Sequence, residues 1–336
     1  MVLPLPTPDD VYAAAMRLSG YVGRTPVLED ESLNELAGAR LLIKAEAVQH
    51  TGSFKIRGAT NRLLQIPDDQ RHAGVVAFSS GNHAQGVARA ARLLGMPALI
   101  VMPSDAPQVK CDGVQRDGAE IRFYDREIES REAIAAEIAA QRGAILVPSF
   151  DDPYIIAGQG SCGVEFAAQA IDLGAPLDHL ICCTGGGGLI TGIALAFERG
   201  SPKTQIWKAE PNGHDDWAKS LKVGHRCENA PGTRSICDAI LTPQPGKLTW
   251  ELGQRLLAGG LIVEDNQIKA AMRLAFERLK LVIEPGGAAA LAAALFALPR
   301  AMKGQTIGIV LTGGNVDADA FAEILSEKRL DITRNA

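Results

Sequence analysis

The stretch Leu180-Ile181-Cys182-Cys183-Thr184-Gly185-Gly186-Gly187-Gly188-Leu189-Ile190-Thr191-Gly192-Ile193-Ala194-Leu195-Ala196-Phe197 reads as a strand, a tight turn and a helix. The run 180–183 is apolar without alternation, which predicts a strand buried on both faces. Each glycine of the turn loses more backbone freedom on folding than any other residue would, and a plain turn does not need four of them. A strand end, a glycine turn and a helix N-terminus together build an anion site. Backbone N–H groups converge, no Cβ blocks the approach, and the helix end adds partial positive charge. The expected occupant is a phosphate.

The same alternation extends in both directions. Strands are predicted at 41–44, 75–79, 98–102, 120–124, 145–147, 180–183, 206–209 and 306–311. Helices are predicted at 55–65, 82–94, 128–141, 160–171, 190–199, 266–281 and 287–296. Buried strands alternating with helices imply mainly parallel sheets covered by helices on both sides. The units from 52 to 148 run on continuously, and both flanks carry site-like segments. The expected division is therefore a small domain, 52–148, set into a large one made of 1–51 and 149–336.

Composition narrows the function. The 336 residues carry a net charge of −5, with 46% hydrophobic and 22% charged residues, an ordinary soluble balance. That charge offers no general attraction to nucleic acid or anionic membrane. No apolar run reaches the roughly 20 residues that span a bilayer, and Met1-Val2-Leu3-Pro4-Leu5-Pro6 is not a signal peptide. The six cysteines show neither a CxxC pair nor metal-ligand spacing, and so read as reduced thiols of a cytoplasmic protein.

Four further segments carry chemistry. Ser53-Phe54-Lys55-Ile56-Arg57-Gly58-Ala59 opens a helix, with Ser53 as the expected N-cap. A lysine in a first turn opposes the helix dipole, so Lys55 is expected to be engaged chemically, as the amine that captures a phosphorylated aldehyde. Together with the glycine turn this suggests pyridoxal phosphate. Ser79-Ser80-Gly81-Asn82-His83 is a second strand-to-helix turn whose N–H groups suit a carboxylate, and Asn82 offers a donor to a ring oxygen. Ala209-Glu210-Pro211 with Asp215 and Asp216 could hold a hard cation. In Leu311-Thr312-Gly313-Gly314-Asn315, Thr312 could bond a ring nitrogen. A rival reading takes Gly186, Gly188 and Gly192, with Glu210 on the next strand, as a loose dinucleotide fingerprint.

These segments, with Ala157-Gly158-Gln159-Gly160, occur in one order from about residue 8 to 325. By them the chain resembles the serine/threonine dehydratase and serine racemase group of fold-type-II pyridoxal-phosphate enzymes. Lys55-Ile56-Arg57 replaces the Lys-Asp-Arg of the cysteine and threonine synthase branches, which favours elimination from β-hydroxyamino acids. The resemblance implies an α/β, tryptophan-synthase-β-like fold of two open, mostly parallel sheets flanked by helices. It implies that Lys55 bonds the cofactor and shuttles the α-proton, with Ser80 acting from the opposite face. It implies that Gly185, Gly186, Gly187 and Gly188 hold the phosphate, and that Phe54, Asn82, Glu284 and Thr312 surround the ring. Ser79, Ser80, Asn82, His83 and Asp238 are the implied substrate contacts. Glu210, Asp216 and the carbonyl of His214 are the implied ligands of Mg2+ or another divalent cation. A homodimer acting on a small amino acid is also implied.

Two departures touch the substrate pocket. Cys237-Asp238-Ala239 stands where the family has Ala-Asp-Gly, and Glu284-Pro285-Gly286 lacks a hydroxyl. The short span after Asn315 leads us to expect no regulatory domain and no isoleucine inhibition. The expected activity is an ammonia-lyase acting on L-threonine or L-serine, giving a 2-oxo acid and ammonia. The alternatives are a serine racemase or a 3-hydroxyaspartate dehydratase. The dehydratase needs a cation for a second carboxylate, and Arg131 and Arg234 are the candidates, although both read as solvated surface residues. A nicotinamide-dependent dehydrogenase and a non-catalytic amino-acid-binding protein are the readings from other classes.

Overall fold

The computed structural model describes residues 4–79, 81–106 and 108–327. Its strands are β1 (Val27–Leu28), β2 (Arg40–Ala45), β3 (Val75–Phe78), β4 (Ala98–Pro103), β5 (Glu120–Tyr124), β6 (Ile145–Leu146), β7 (His179–Cys183), β8 (Gln205–Pro211), β9 (Leu257–Val263) and β10 (Thr306–Leu311). They form a six-stranded sheet, ordered β1-β2-β10-β7-β8-β9, and a four-stranded sheet, ordered β5-β4-β3-β6. Every pairing is parallel except β1 with β2. This is the two-sheet α/β architecture anticipated from the sequence.

The runs without alternation lie where burial is two-sided. All five residues of β7 and the last five of β2 and β10 are buried. The helix Pro285–Phe296 covers one face of the larger sheet with an alanine-rich surface, and Pro285 through Ala294 are buried. Small side chains let it lie close on β7 and β10. On the other face, helices Pro153–Asp172 and Gly188–Gly200 cross where Gly160 and Gly192 meet main chain to main chain. A Cβ on either would strike the other's backbone, so Gly192 serves packing.

Several boundaries move for local reasons. The helix expected from 160 begins at Pro153, because Asp152 accepts the N–H groups of Tyr154 and Ile155 and proline suits the first helical position. The helix expected from 128 begins at Arg131, capped by Ser130. Ser53 does not cap the helix Lys55–Leu64; Phe54 holds that position without a side-chain bond. Ser53 instead forms an isolated bridge to Gly313. The strand β9 and the helix Asp216–Val223 were not anticipated. No helix among the described residues is long and apolar enough to cross a membrane.

Candidate active site

The C-terminal ends of β7, β10 and β3 point into one cleft of about 470 Å3, the expected place for ligands in open parallel sheets. Its walls include Phe54, Lys55, Ser79, Asn82, His83, Gly185 to Gly188, Asp238, Glu284 and Thr312. Distant parts of the chain therefore converge as the sequence motifs implied. Ser80 lies outside the described residues.

The glycine turn owes its shape to its surroundings. The indole of Trp217 donates to the carbonyl of Gly185 at 2.8 Å. The Thr249 hydroxyl donates to Gly186 O at 2.6 Å, and the Thr191 hydroxyl to Gly187 O at 2.8 Å. A trans peptide sets its N–H opposite the preceding C=O. Anchoring those three carbonyls therefore turns the N–H groups of Gly186, Gly187 and Gly188 the other way, as a phosphate cradle requires. Side chains are excluded at each position. Gly187 has φ +97°, and a Cβ there would strike Trp217, while one on Gly186 would strike the Phe150 ring. The residues thus fit a phosphorylated ligand, with Phe150, Thr249 and Trp217 shaping the turn from behind.

Lys55 Nζ enters from the helix Lys55–Leu64 and donates to Ser149 O at 3.0 Å. Burial pushes its amine down to about 8, partly offset by Cys183 and Glu284. Gly86 allows the second helix, Asn82–Leu93, to pack on this segment, since a Cβ there would lie 3.1 Å from the Lys55 carbonyl carbon. Two residues beyond Lys55, Arg57 is fully buried and bonds Glu46 and Glu165 at 2.7 Å each. This network fixes the helix without entering the cleft. Removing one partner of such a pair strands a buried charge, at about 3–5 kcal/mol.

Thr312 Oγ1 sits 3.1 Å from Cys183 Sγ across the β7–β10 ends. Asn82 donates to Glu284 at 2.5 Å and accepts from Asn315 at 2.8 Å. Burial, with the charge of Asp238, raises Glu284 to about 7 against the pull of Lys110, and its Oε2 is buried without a partner among the described residues. His83 is held neutral: burial and the Lys55 charge push it down to about 3. Its Nε2 donates to Val147 O at 3.0 Å, so Nδ1 is left as an acceptor. The His83 ring therefore has no free donor for a carboxylate; what the helix Asn82–Leu93 offers one is its first-turn N–H groups.

The opposite wall carries cations that sequence reading undervalued. Lys110 is buried and pairs with Asp238 at 2.6 Å. Arg131 lines the cleft, its guanidinium 5.5 Å over the Phe78 ring, with Nε donating to Glu132 at 2.8 Å. Its side chain is 39% exposed, so it is the surface arginine expected from its sequence setting and also part of the cleft wall. Arg234 is not part of the cleft wall. Sequence alone could not choose between Arg131 and Arg234, because the place of Arg131 depends on how its helix packs over β3 and β4.

Glu210, His214 and Asp216 lie apart from the cleft lining, at the end of β8 and the start of the helix Asp216–Val223. Glu210 is already occupied. It accepts Lys208 Nζ at 2.6 Å, Trp217 N–H at 2.9 Å and Ala218 N–H at 3.0 Å. Asp216 Oδ1 accepts from Asn229 at 2.8 Å, and its Oδ2 is buried without a partner among the described residues. Burial and the Glu210 charge raise Asp216 to about 7. Among the described residues no three His, Cys, Asp or Glu side chains gather as metal ligands. A dication about 4 Å from the Lys208 ammonium would be repelled by roughly 8 kcal/mol at an effective dielectric of about 20. Two carboxylates beside an ammonium are a poor fit for the expected divalent ion. Glu210 is equally unsuited to a ribose hydroxyl, which with the packing role of Gly192 leaves the dinucleotide reading without support.

Comparison with known proteins identifies the family. An L-threo-3-hydroxyaspartate ammonia-lyase from Pseudomonas sp is 44% identical over 94% of this chain and 97% of its own length. The maize serine racemase structure superposes with a TM-score of 0.90 at 38% identity, covering 95% of this chain and 97% of that one. The T.th. threonine deaminase structure superposes with a TM-score of 0.87 at 41% identity, covering 93% and 99%. The family model described as pyridoxal-phosphate dependent enzyme matches residues 18–313. That match spans most of the chain, and the relatives cover nearly their whole length: this protein belongs to the pyridoxal-phosphate dependent enzyme family.

Proposed function

We propose that this protein is an ammonia-lyase whose preferred substrate is L-threo-3-hydroxyaspartate, released as oxaloacetate and ammonia. The observation that carries this reading is Arg131 on the cleft wall. A planar guanidinium there can take a second substrate carboxylate through two parallel bonds. L-Serine and L-threonine, the substrates first expected, carry no such group. The 44% identity to the hydroxyaspartate enzyme supports the same choice.

Residues 1–51 and 149–336 would form the cofactor-holding unit, and 52–148 the unit that meets the substrate. The N–H groups of Gly186, Gly187 and Gly188 would grip the phosphate of the cofactor. Asn82, Glu284 and Thr312 would surround its ring, and Lys55 would hold its aldehyde carbon. Pyridoxal phosphate, once bound, supplies the electron sink that acidifies the substrate α-carbon. The rest falls to the chain. An amine lowered to about 8 is unprotonated in a usable fraction near neutral pH, as a base and nucleophile must be. Lys55 Nζ would take the α-proton. The first-turn N–H groups of the helix Asn82–Leu93, with Ser79, would hold the α-carboxylate, and Ser80 is the proposed group on the opposite face. Neutral His83 adds no competing charge.

The test is a substrate panel. Purified holoenzyme is given L-threo-3-hydroxyaspartate, L-serine and L-threonine, with ammonia and oxo acid measured together. We expect kcat/KM to favour the dicarboxylic substrate by at least about 100-fold, the scale of a bidentate contact left unmade. Preference for L-serine or L-threonine would refute the assignment, and inversion without ammonia release would make the protein a racemase.

A further inference from the structure

We propose that the ammonium of Lys208 is a built-in cation serving Glu210, so that the protein holds its cofactor cradle in place without a divalent metal. Lys208 is completely buried in β8, and its Nζ lies 2.6 Å from Glu210 Oε2. The neighbouring strand is shaped around it. Gly260 of β9 pairs with Lys208 in register, and a Cβ on Gly260 would fall on Nζ. The preceding residue, Gly259, gives the same clearance to Trp207. Two consecutive glycines weaken a strand interior, and here they leave room for the two largest side chains of β8. A buried carboxylate needs a counter-charge, and Lys208 delivers one on a tether that cannot diffuse away.

The pair acts on the cleft through one relay. With Lys208 neutralising it, Glu210 accepts the main-chain N–H groups of Trp217 and Ala218 and seats the helix Asp216–Val223. Trp217 then anchors the carbonyl of Gly185 and packs against Gly187. Lys208 is in this sense a positioning residue for the phosphate cradle, and it touches no reacting atom. The inference is independent of which amino acid the enzyme consumes.

The experiment begins with the unaltered holoenzyme. We expect metal analysis to find no stoichiometric divalent ion, and neither chelation by EDTA nor added Mg2+ or Ca2+ to move the melting temperature or cofactor retention. In Lys208→Ala, cofactor retention should weaken by about tenfold or more, a loss of order one hydrogen-bonded charge. Mg2+, Ca2+ or ethylammonium in the vacated space should recover it. Gly260→Ala, which evicts the ammonium while keeping the lysine, should weaken retention in the same way. About one equivalent of tightly held divalent metal in the wild type, or a fall in its melting temperature on chelation, would overturn the proposal. So would unchanged cofactor retention in Lys208→Ala, or a defect that none of the three cations repairs. If Lys208→Ala does not fold, the wild-type metal and chelation measurements still decide the matter.

Discussion

The two sheets meet the same cleft with different materials. The larger sheet brings small, neutral groups: the glycine turn after β7 and Thr312 after β10, backed by Phe150, Thr249 and Trp217. The smaller sheet's side brings the loop after β3, Lys110 and Arg131. The central strands of both sheets are buried, β7 and β10 in the larger and β3 and β4 in the smaller, so the difference lies in what each side presents to the cleft. One wall is built for rigidity, where backbone groups must be held to a fraction of an ångström. The other carries long charged side chains, Lys110 buried against Asp238 and Arg131 half-exposed, and exchanging Arg131 disturbs little packing. A constant cofactor and a variable substrate would sort themselves between two such walls.

The comparison breaks most sharply at the joint between them. Lys55→Ala should abolish turnover, and with it the visible absorbance of the holoenzyme that borohydride bleaches; retained turnover would remove Lys55 from its role. On the rigid wall, Gly187→Ala must fit a Cβ at φ +97° against Trp217 and Thr249. A strained backbone of this kind costs about 1–3 kcal/mol. Cofactor affinity, measured by fluorescence titration, should fall roughly 10- to 100-fold by that strain, with the order of substrate preference unchanged. On the adaptable wall the expectation is reversed. Arg131→Met should lower kcat/KM for hydroxyaspartate by about 100-fold while leaving cofactor affinity and residual serine turnover near wild type. If Arg131→Met instead loosened the cofactor, the two walls would not divide the work as described.

The smallest effect concerns Glu284, which straddles both walls through its bond to Asn82. Its folded value, about 7, lies above the ordinary 4.5. The folded state therefore holds more protons than the unfolded state between those values, and stability falls as pH rises through that window. Glu284→Gln keeps an acceptor for Asn82 and removes the titration. The apo-protein's melting temperature should become flatter between pH 5 and 8 and rise by a few degrees at pH 8. An unchanged slope would show that Glu284 does not titrate in that window.

Much of this was legible along the chain because the relevant physics is local. Strands buried on both faces advertise themselves as continuous apolar runs, and a glycine turn before a helix needs no partner to be recognised. What stayed hidden depends on neighbours distant in sequence. Leu257-Ala258-Gly259-Gly260 reads as a loop until Trp207 and Lys208 explain both glycines. Arg131 reads as a surface residue until β3 and β4 supply the floor beneath it. Glu210 reads as a metal ligand until Lys208, two residues earlier and on the same face of the strand, proves to be its partner. His83 lines the cleft as expected of a substrate contact, but the Val147 carbonyl takes its ring proton, so the donor it can offer there is its main-chain N–H.

The position of β10 has a consequence for how the molecule comes into being. Among the described residues it is the last strand in the order of synthesis, yet it lies between β2 and β7 in the middle of the larger sheet. The residues just after it tie the Lys55 segment down: Phe54 N–H reaches Thr312 O, Gly314 N–H reaches Gly52 O, and Asn315 reaches Thr51 O. Until β10 has been made, a growing chain therefore holds two unpaired strand borders and a lysine with nothing to position it. Such delayed long-range pairing slows folding and leaves sheet borders open to wrong partners. Uptake of the vitamin-derived coenzyme would then mark completed molecules alone, and its supply during expression should govern how much protein escapes aggregation.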